Sequence, residues 1–223
     1  MSNKTINIKI CGMKSPENIR EVAMLQPNYL GFIFYENSPR NVEEFIDTSI
    51  IPTAIKKVGV FVNATIDFII KKAEQFKLQA IQLHGNETAE YCLELKSTLQ
   101  KIFKKEDQVN IWKVFSIKDQ FDFEIVKPYE NIVDYFLFDT KGPAKGGNGY
   151  TFDWNVLKNY PSTTPFILSG GIGLDEINAI QSLLDSPESK YLHAIDINSK
   201  FEIQPGLKNT ETLQKFLSGI ENL

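Results

Sequence analysis

The segment KVGVFVNATIDFIIKKAEQFKLQAIQLH, residues 57–84, reads as strand, helix, strand. Its first run, Lys57–Val62, is short and apolar, and its last, Ala80–His84, is of the same kind. Between them Ile66, Ile69, Ile70 and Ala73 follow the i, i+3, i+4, i+7 spacing of one helical face. Strands joined through a helix run parallel, because a parallel neighbour is reached only by a crossover. Mostly apolar strands in such a unit can be buried on both faces.

The alternation extends in both directions. Ile6–Cys11 and Tyr29–Phe34 come before this unit, and Ile111–Phe115, Tyr135–Asp139, Phe166–Ser169 and Ala194–Ile197 after it, eight strand-like runs in all. Ser15-Pro16-Glu17 predicts a helix start, with Ser15 as cap and Pro16 at the first helical position. Leu213, Phe216, Leu217 and Ile220 form another helical face. Eight such units usually close on themselves. The expected fold is therefore α/β, a (βα)8 TIM barrel of eight parallel strands with surrounding helices, in a single domain over residues 1–223. An open doubly wound sheet shares the alternation and is the competing architecture. The Gly-rich stretch 142–149 reads as a loop within that domain, because a cut there leaves a second half with only two strands.

Composition narrows the function classes. In 223 residues, 42% are hydrophobic and 23% charged, enough apolar surface for one sizeable core. A formal charge of −4 argues against a surface that neutralises nucleic-acid phosphates. No apolar run approaches the roughly 18 residues of a membrane helix, and the start lacks a signal-peptide pattern, so a cytoplasmic location without membrane or nucleic-acid partners is expected. Cys11 and Cys92 are too few for a disulfide scaffold and have no partners at zinc-ligand spacing. Cys92, in a helical stretch, reads as a small buried hydrophobe.

In α/β barrels the reacting groups sit at the C-terminal ends of the strands. Cys11 ends the first strand and Asp139 the sixth. The period of two puts Lys9 on the side of Cys11, where its ammonium would favour the thiolate; the plainer reading is a packed thiol beside a snorkelling lysine. Asp139 follows the run Tyr135-Phe136-Leu137-Phe138, whose apolar surroundings would disfavour its charge and leave an acid able to donate a proton; alternatively it orders the next turn. Ser169-Gly170-Gly171-Ile172 and Asp196-Ile197-Asn198-Ser199 close the last two strands, where many barrels bind phosphate through exposed backbone N–H groups. A tight Gly-Gly turn and a capping Ser199 are the structural readings of the same residues. Arg40, behind Pro39, suits a planar carboxylate held by two parallel hydrogen bonds, or is simply solvated. His84 shares a face with Gln82 and either lines the site or is structural.

Together, Lys9-Ile10-Cys11-Gly12-Met13, Gln82-Leu83-His84-Gly85, Leu137-Phe138-Asp139-Thr140-Lys141, Gly146-Gly147-Asn148-Gly149, Leu168-Ser169-Gly170-Gly171-Ile172 and Phe201-Glu202 to Pro205-Gly206 resemble the phosphoribosylanthranilate isomerase family, in the family's order. The blocks Gly31-Phe32-Ile33-Phe34, Ser38-Pro39-Arg40 and Val58-Gly59-Val60-Phe61-Val62-Asn63 extend the match.

The resemblance implies the Amadori rearrangement of N-(5-phosphoribosyl)anthranilate in tryptophan biosynthesis, with neither cofactor nor metal. It implies Asp139 as general acid, Cys11 as general base, Gly170, Gly171, Asn198 and Ser199 at the phosphate and Arg40 at the anthranilate carboxylate, in a monomer or homodimer. An indole-glycerol-phosphate synthase barrel would rest on lysine and glutamate instead, and a non-catalytic phosphosugar-binding barrel would need neither Cys11 nor Asp139. Four positions depart from the family: Lys14 for Thr, Tyr150 for Lys, and, in Asn198-Ser199-Lys200 against Ser-Ser-Gly, Asn198 and Lys200. The glycine-rich loop after Asp139 is expected to close over bound sugar. Limited proteolysis checks this: a substrate analogue should protect the 140–149 segment, and equal cleavage with and without it would exclude a lid.

Overall fold

A computed structural model describes residues 6–43, 45–118, 120–140 and 151–223. Its strands are β1 (Asn7–Ile10), β2 (Tyr29–Ile33), β3 (Lys56–Phe61), β4 (Ala80–Leu83), β5 (Asn110–Ile117), β6 (Tyr135–Thr140), β7 (Phe166–Leu168) and β8 (Leu192–Ile197). They pair in sequence order, all parallel. β1 then closes on β8, with Asn7 opposite Ala194 and Ile10 opposite Ile197. The expected barrel is present, and that last pairing excludes the open sheet.

The helices are α1 (Pro16–Met24), α2 (Ile66–Phe76), α3 (Ala89–Ile102), α4 (Ile177–Leu184) and α5 (Thr210–Glu221). α2 buries Ile69, Ala73 and Phe76, the face its spacing predicted. Thr65, Thr88 and Asn209 cap α2, α3 and α5 by accepting a backbone N–H, which satisfies donors the first turn leaves open. Ser15 does not do this for α1. It stands at the cap position, but its hydroxyl donates to Glu17 Oε2 at 3.2 Å, the ionised carboxylate being the stronger partner.

Three crossovers depart from the expected strand–helix alternation. After β2, β5 and β6 the described residues form only 3-10 turns, Thr48–Ile50, Phe123–Tyr129 and Trp154–Asn159. Each follows an aspartate, Asp47, Asp122 or Asp153, whose side chain accepts the N–H two residues on. Such local bonds compete with the helical ladder, and Pro128 removes a donor from the second turn.

The period of two sorts the strand residues. One set, including Tyr29, Val58, Ala80, Trp112, Val114, Leu137, Ile167 and Ala194, fills the barrel interior; the other joins the helices in a larger core. Cys92 is wholly buried in that outer layer, its thiol pushed up to about 12 by burial, so the packing role read from sequence is the one observed. Among the described residues no helix is long and apolar enough to cross a membrane.

At the N-terminal end of the barrel, His193 Nε2 lies 2.8 Å from the Tyr29 hydroxyl, and its ring is 4.1 Å from that of Tyr135. Burial, then the nearby Lys56, pulls His193 down to about 4. The unfolded value is about 6.5, so this contribution to stability is complete above that value and is lost as pH falls toward 4. Urea unfolding at pH 7 and pH 5 should show a loss of about 1 kcal/mol from this group, allowing for its partial exposure. His193→Gln should flatten that slope.

Candidate active site

The interior rows of β1, β4, β6 and β8 end in polar residues at the C-terminal end of the strand, while those of β2 and β3 end in Ile33, Val60 and Val62. On β6 Leu137 is followed two residues on by Asp139; on β8 Ala194 leads to Asp196 and then Asn198. Beyond β4 the row Ala80, Gln82 ends in His84, and β1 presents Lys9 and then Cys11. These rows converge on an open chamber lined by Cys11, Gln82, His84, Asp139, Asp196 and Asn198, with Arg40, Ser169, Gly170, Gly171 and Ser199 around it. All the expected site residues line it except Lys9, which is fully buried beneath it.

Lys9 Nζ donates to Asp196 Oδ2 at 2.8 Å. Burial pulls this ammonium down, but Asp196 and Cys11 outweigh it and hold Lys9 above its ordinary value. Room for both side chains comes from Gly31, where an added Cβ would stand 2.8 Å from Cys11 Sγ and 3.2 Å from Lys9 Cε. Lys9 lowers the Cys11 pKa, as the spacing predicted, but burial prevails and the thiol is raised overall. Lys9 thus favours the ionised form as expected, but desolvation of the anion is the larger effect. Asp196, which the sequence reading named only as part of the β8 end and gave no role, is 6% exposed, and its Oδ1 has no partner among the described residues. The alternation Ala194, Asp196, Asn198 is the signal that points to it.

Asp139 is buried and its Oδ2 lies 3.4 Å from His84 Nε2. On the other side of the ring, Nδ1 is 3.3 Å from Gln82 Nε2. With Gln82 against Nδ1, the ring turns Nε2 toward Asp139. His84 therefore belongs with Asp139.

Gly170 and Gly171 have φ of +94° and +68°, a region that disfavours any side chain. Their N–H groups donate to no described residue. Ser199 opens the 3-10 turn Ser199–Phe201 opposite them. Lys200, exposed, also lines the chamber, so the departure from the usual glycine adds a cation at the anion-facing rim. Of the other departures, Lys14 is exposed beside Gly206. Tyr150, with the 141–149 stretch of the expected lid, lies outside the described residues.

Arg40 does hold a carboxylate through parallel bonds, but an internal one. Its Nε and Nη2 donate to Glu202, with Nη2 to Oε2 at 2.6 Å. That uses the side edge of the guanidinium and leaves Nη1 and the outer hydrogen of Nη2 for a ligand. Burial raises the Glu202 carboxyl, but its donors, Arg40 first and Lys208 next, outweigh this and hold it below the usual range.

Comparison with known proteins bears on the same residues. A family model described as N-(5'phosphoribosyl)anthranilate (PRA) isomerase matches residues 8–219. An N-(5'-phosphoribosyl)anthranilate isomerase of Parabacteroides distasonis is 46% identical over 217 residues, covering 96% of this chain and 92% of its own. The crystal structure of phosphoribosyl anthranilate isomerase from Thermotoga maritima superimposes with TM-score 0.80 at 28% identity, covering 98% of this chain and 100% of its own. A phosphoribosyl anthranilate isomerase in complex with reduced 1-(o-carboxyphenylamino)-1-deoxyribulose 5-phosphate shares the fold, with TM-score 0.75 at 24% identity and the same coverage.

The Cys11 environment generates a pH prediction. Because Lys9 is the largest influence opposing burial at the thiol, Lys9→Met should move the titration of Cys11 to higher pH by about one unit or more. Alkylation rate against pH, with the modified cysteine mapped by mass spectrometry, measures this. An unmoved curve would show that Lys9 does not act on the thiol.

Proposed function

The chain belongs to the N-(5'-phosphoribosyl)anthranilate isomerase family, and from that premise we propose which of its residues carry the reaction. It catalyses the Amadori rearrangement of N-(5'-phosphoribosyl)anthranilate to 1-(2-carboxyphenylamino)-1-deoxyribulose 5-phosphate, a step of tryptophan biosynthesis. We assign Asp139 as general acid and Cys11 as general base. The observation that carries the assignment is that both groups face one chamber from β6 and β1.

Asp139 gives its proton to the furanose ring oxygen as the C1–O bond breaks, and the anilino nitrogen lone pair forms the C=N bond of a Schiff base. His84, beside Asp139, orients the carboxyl and offers a route for its reprotonation. The cationic Schiff base acidifies the neighbouring C2–H. Cys11, its thiolate favoured by Lys9, takes that proton, and the electron pair neutralises the imine to give an enolamine, which tautomerises to the ketone. The thiol is held above its ordinary value, so its thiolate, once formed, is a stronger base than an ordinary one, set against a C–H made acidic only after ring opening.

The N–H groups of Gly170 and Gly171, with Asn198 and Ser199, bind the phosphate, and Lys200 adds charge there. Arg40 turns its free edge to the anthranilate carboxylate. Anchoring both ends holds the reacting carbons between acid and base. The residues assigned here all come from one chain, which fits a single-domain monomer or homodimer. Two free thiols suit a reducing cytoplasm.

Turnover of freshly made phosphoribosylanthranilate by the purified chain tests the reading. Cys11→Ala and Asp139→Asn should each lower kcat by about two orders of magnitude or more while remaining folded by circular dichroism. Wild-type turnover in either variant would remove its assigned role.

A further inference from the structure

One buried charged cluster at the chamber rim has no task in the reaction as described. It is built on the hairpin of β9 (Glu202–Gln204) and β10 (Leu207–Lys208). Glu202 Oε1 accepts from Lys208 Nζ at 2.9 Å and from the Gly206 N–H at 3.0 Å, while both oxygens accept from Arg40. Lys208, 1% exposed, donates in turn to Asn198 Oδ1 at 2.6 Å and to the Asn198 carbonyl at 3.2 Å. One ion pair thus grips Arg40 with one member and Asn198 with the other. Gly12 gives an independent view of the same junction: a Cβ there would lie 2.8 Å from Arg40 Cδ and 2.8 Å from Asn198 Oδ1. The two side chains flank one glycine without spare room.

We propose that Glu202 and Lys208 are positioning residues that set the distance between the carboxylate-binding and phosphate-binding ends of the site. The proposal rests on the reading above that Arg40 and the Asn198 turn hold those ends. Glu202 occupies the side edge of the guanidinium, so a flexible side chain is already ordered and its free edge already aimed before substrate arrives. Lys208 fixes the residue that starts the Ser199–Phe201 turn. Because Glu202 and Lys208 are bonded to each other, a disturbance of either one reaches both anchors. A substrate that bridges both anchors responds to their spacing, and misplacement shows first in binding.

The test compares Glu202→Gln, Lys208→Met and Arg40→Ala with the wild-type enzyme, using free anthranilate and inorganic phosphate as separate competitive inhibitors. Each cluster variant should weaken inhibition by both probes, and should raise KM for the bridging substrate by about tenfold or more, some 1.4 kcal/mol per factor of ten. The fall in kcat should be smaller, and in Lys208→Arg, which keeps the cation near Cys11, the pH profile of kcat should be unmoved. Arg40→Ala should weaken anthranilate alone. Lys208→Arg, which keeps the charge, should recover part of the loss. Thermal melts identify any variant that fails to fold, and either cluster variant alone suffices for the test. Unchanged inhibition by both probes in a folded variant, or an effect of each variant confined to one probe, would overturn the coupling. Unchanged anthranilate inhibition in Arg40→Ala would instead overturn the assignment of Arg40, and the proposal with it.

Discussion

The Lys9–Asp196 ion pair sits where the barrel closes. Its members face each other across the β1–β8 seam, in register, with 2.8 Å between Nζ and Oδ2 and almost no solvent access. Two charges so placed have surrendered their hydration, and such a pair is weak evidence for stability in itself. Removing one member is another matter, because it strands a buried charge, typically at a cost of about 3–5 kcal/mol. The pair therefore constrains the alignment of the first and last strands and sets the field beneath Cys11. The open oxygen of Asp196, the thiol above Lys9 and the carboxyl of Asp139 all lie in the chamber that this closure creates.

Charge inside the barrel follows a gradient along its axis. The lower layers are apolar and aromatic, with Trp112 between Tyr29 and Tyr135. Polar residues begin one step higher, where the strands end. The apolar layers give the upper groups a rigid, dry support, so Lys9, Asp196, Gln82 and Asp139 are held by packing from below and by one another from the side. Lys113 and Glu87 repeat this arrangement at the β4–β5 side: Lys113 donates to Glu87 and to the Gly85 carbonyl, both at 2.9 Å, and fixes the loop that follows His84. Rigid support of this kind lets two weak general catalysts act on a substrate at one geometry.

Much of this was legible in the chain before any coordinates. Short apolar runs located every strand to within a residue or two, because burial on both faces leaves an unbroken signal. The strand-end rule then selected Cys11, Asp139, His84 and the glycines after β7. The rest escaped for physical reasons. Asp47, Asp122 and Asp153 look like ordinary helix starts, and only their side-chain bonds to the N–H two residues on reveal 3-10 turns. Arg40 was read as an open receptor for a carboxylate, since nothing in its neighbourhood announces a partner 162 residues away. Glu202 and Lys208 look like solvated hairpin charges, and their burial depends on how that hairpin folds back under the rim.

The closure of β1 on β8 also governs when the site comes into being. Lys9 and Asp196 are 187 residues apart in sequence, so a chain emerging from the ribosome carries its thiol, while all the residues up to β8 are made, with no barrel to hold it. The early strands can pair with neighbours as they appear, but a half-made barrel presents two unpaired edges, the kind of surface that invites aggregation. Birth of the enzyme is thus an all-or-nothing event that waits for β8, when the last strand finds the first.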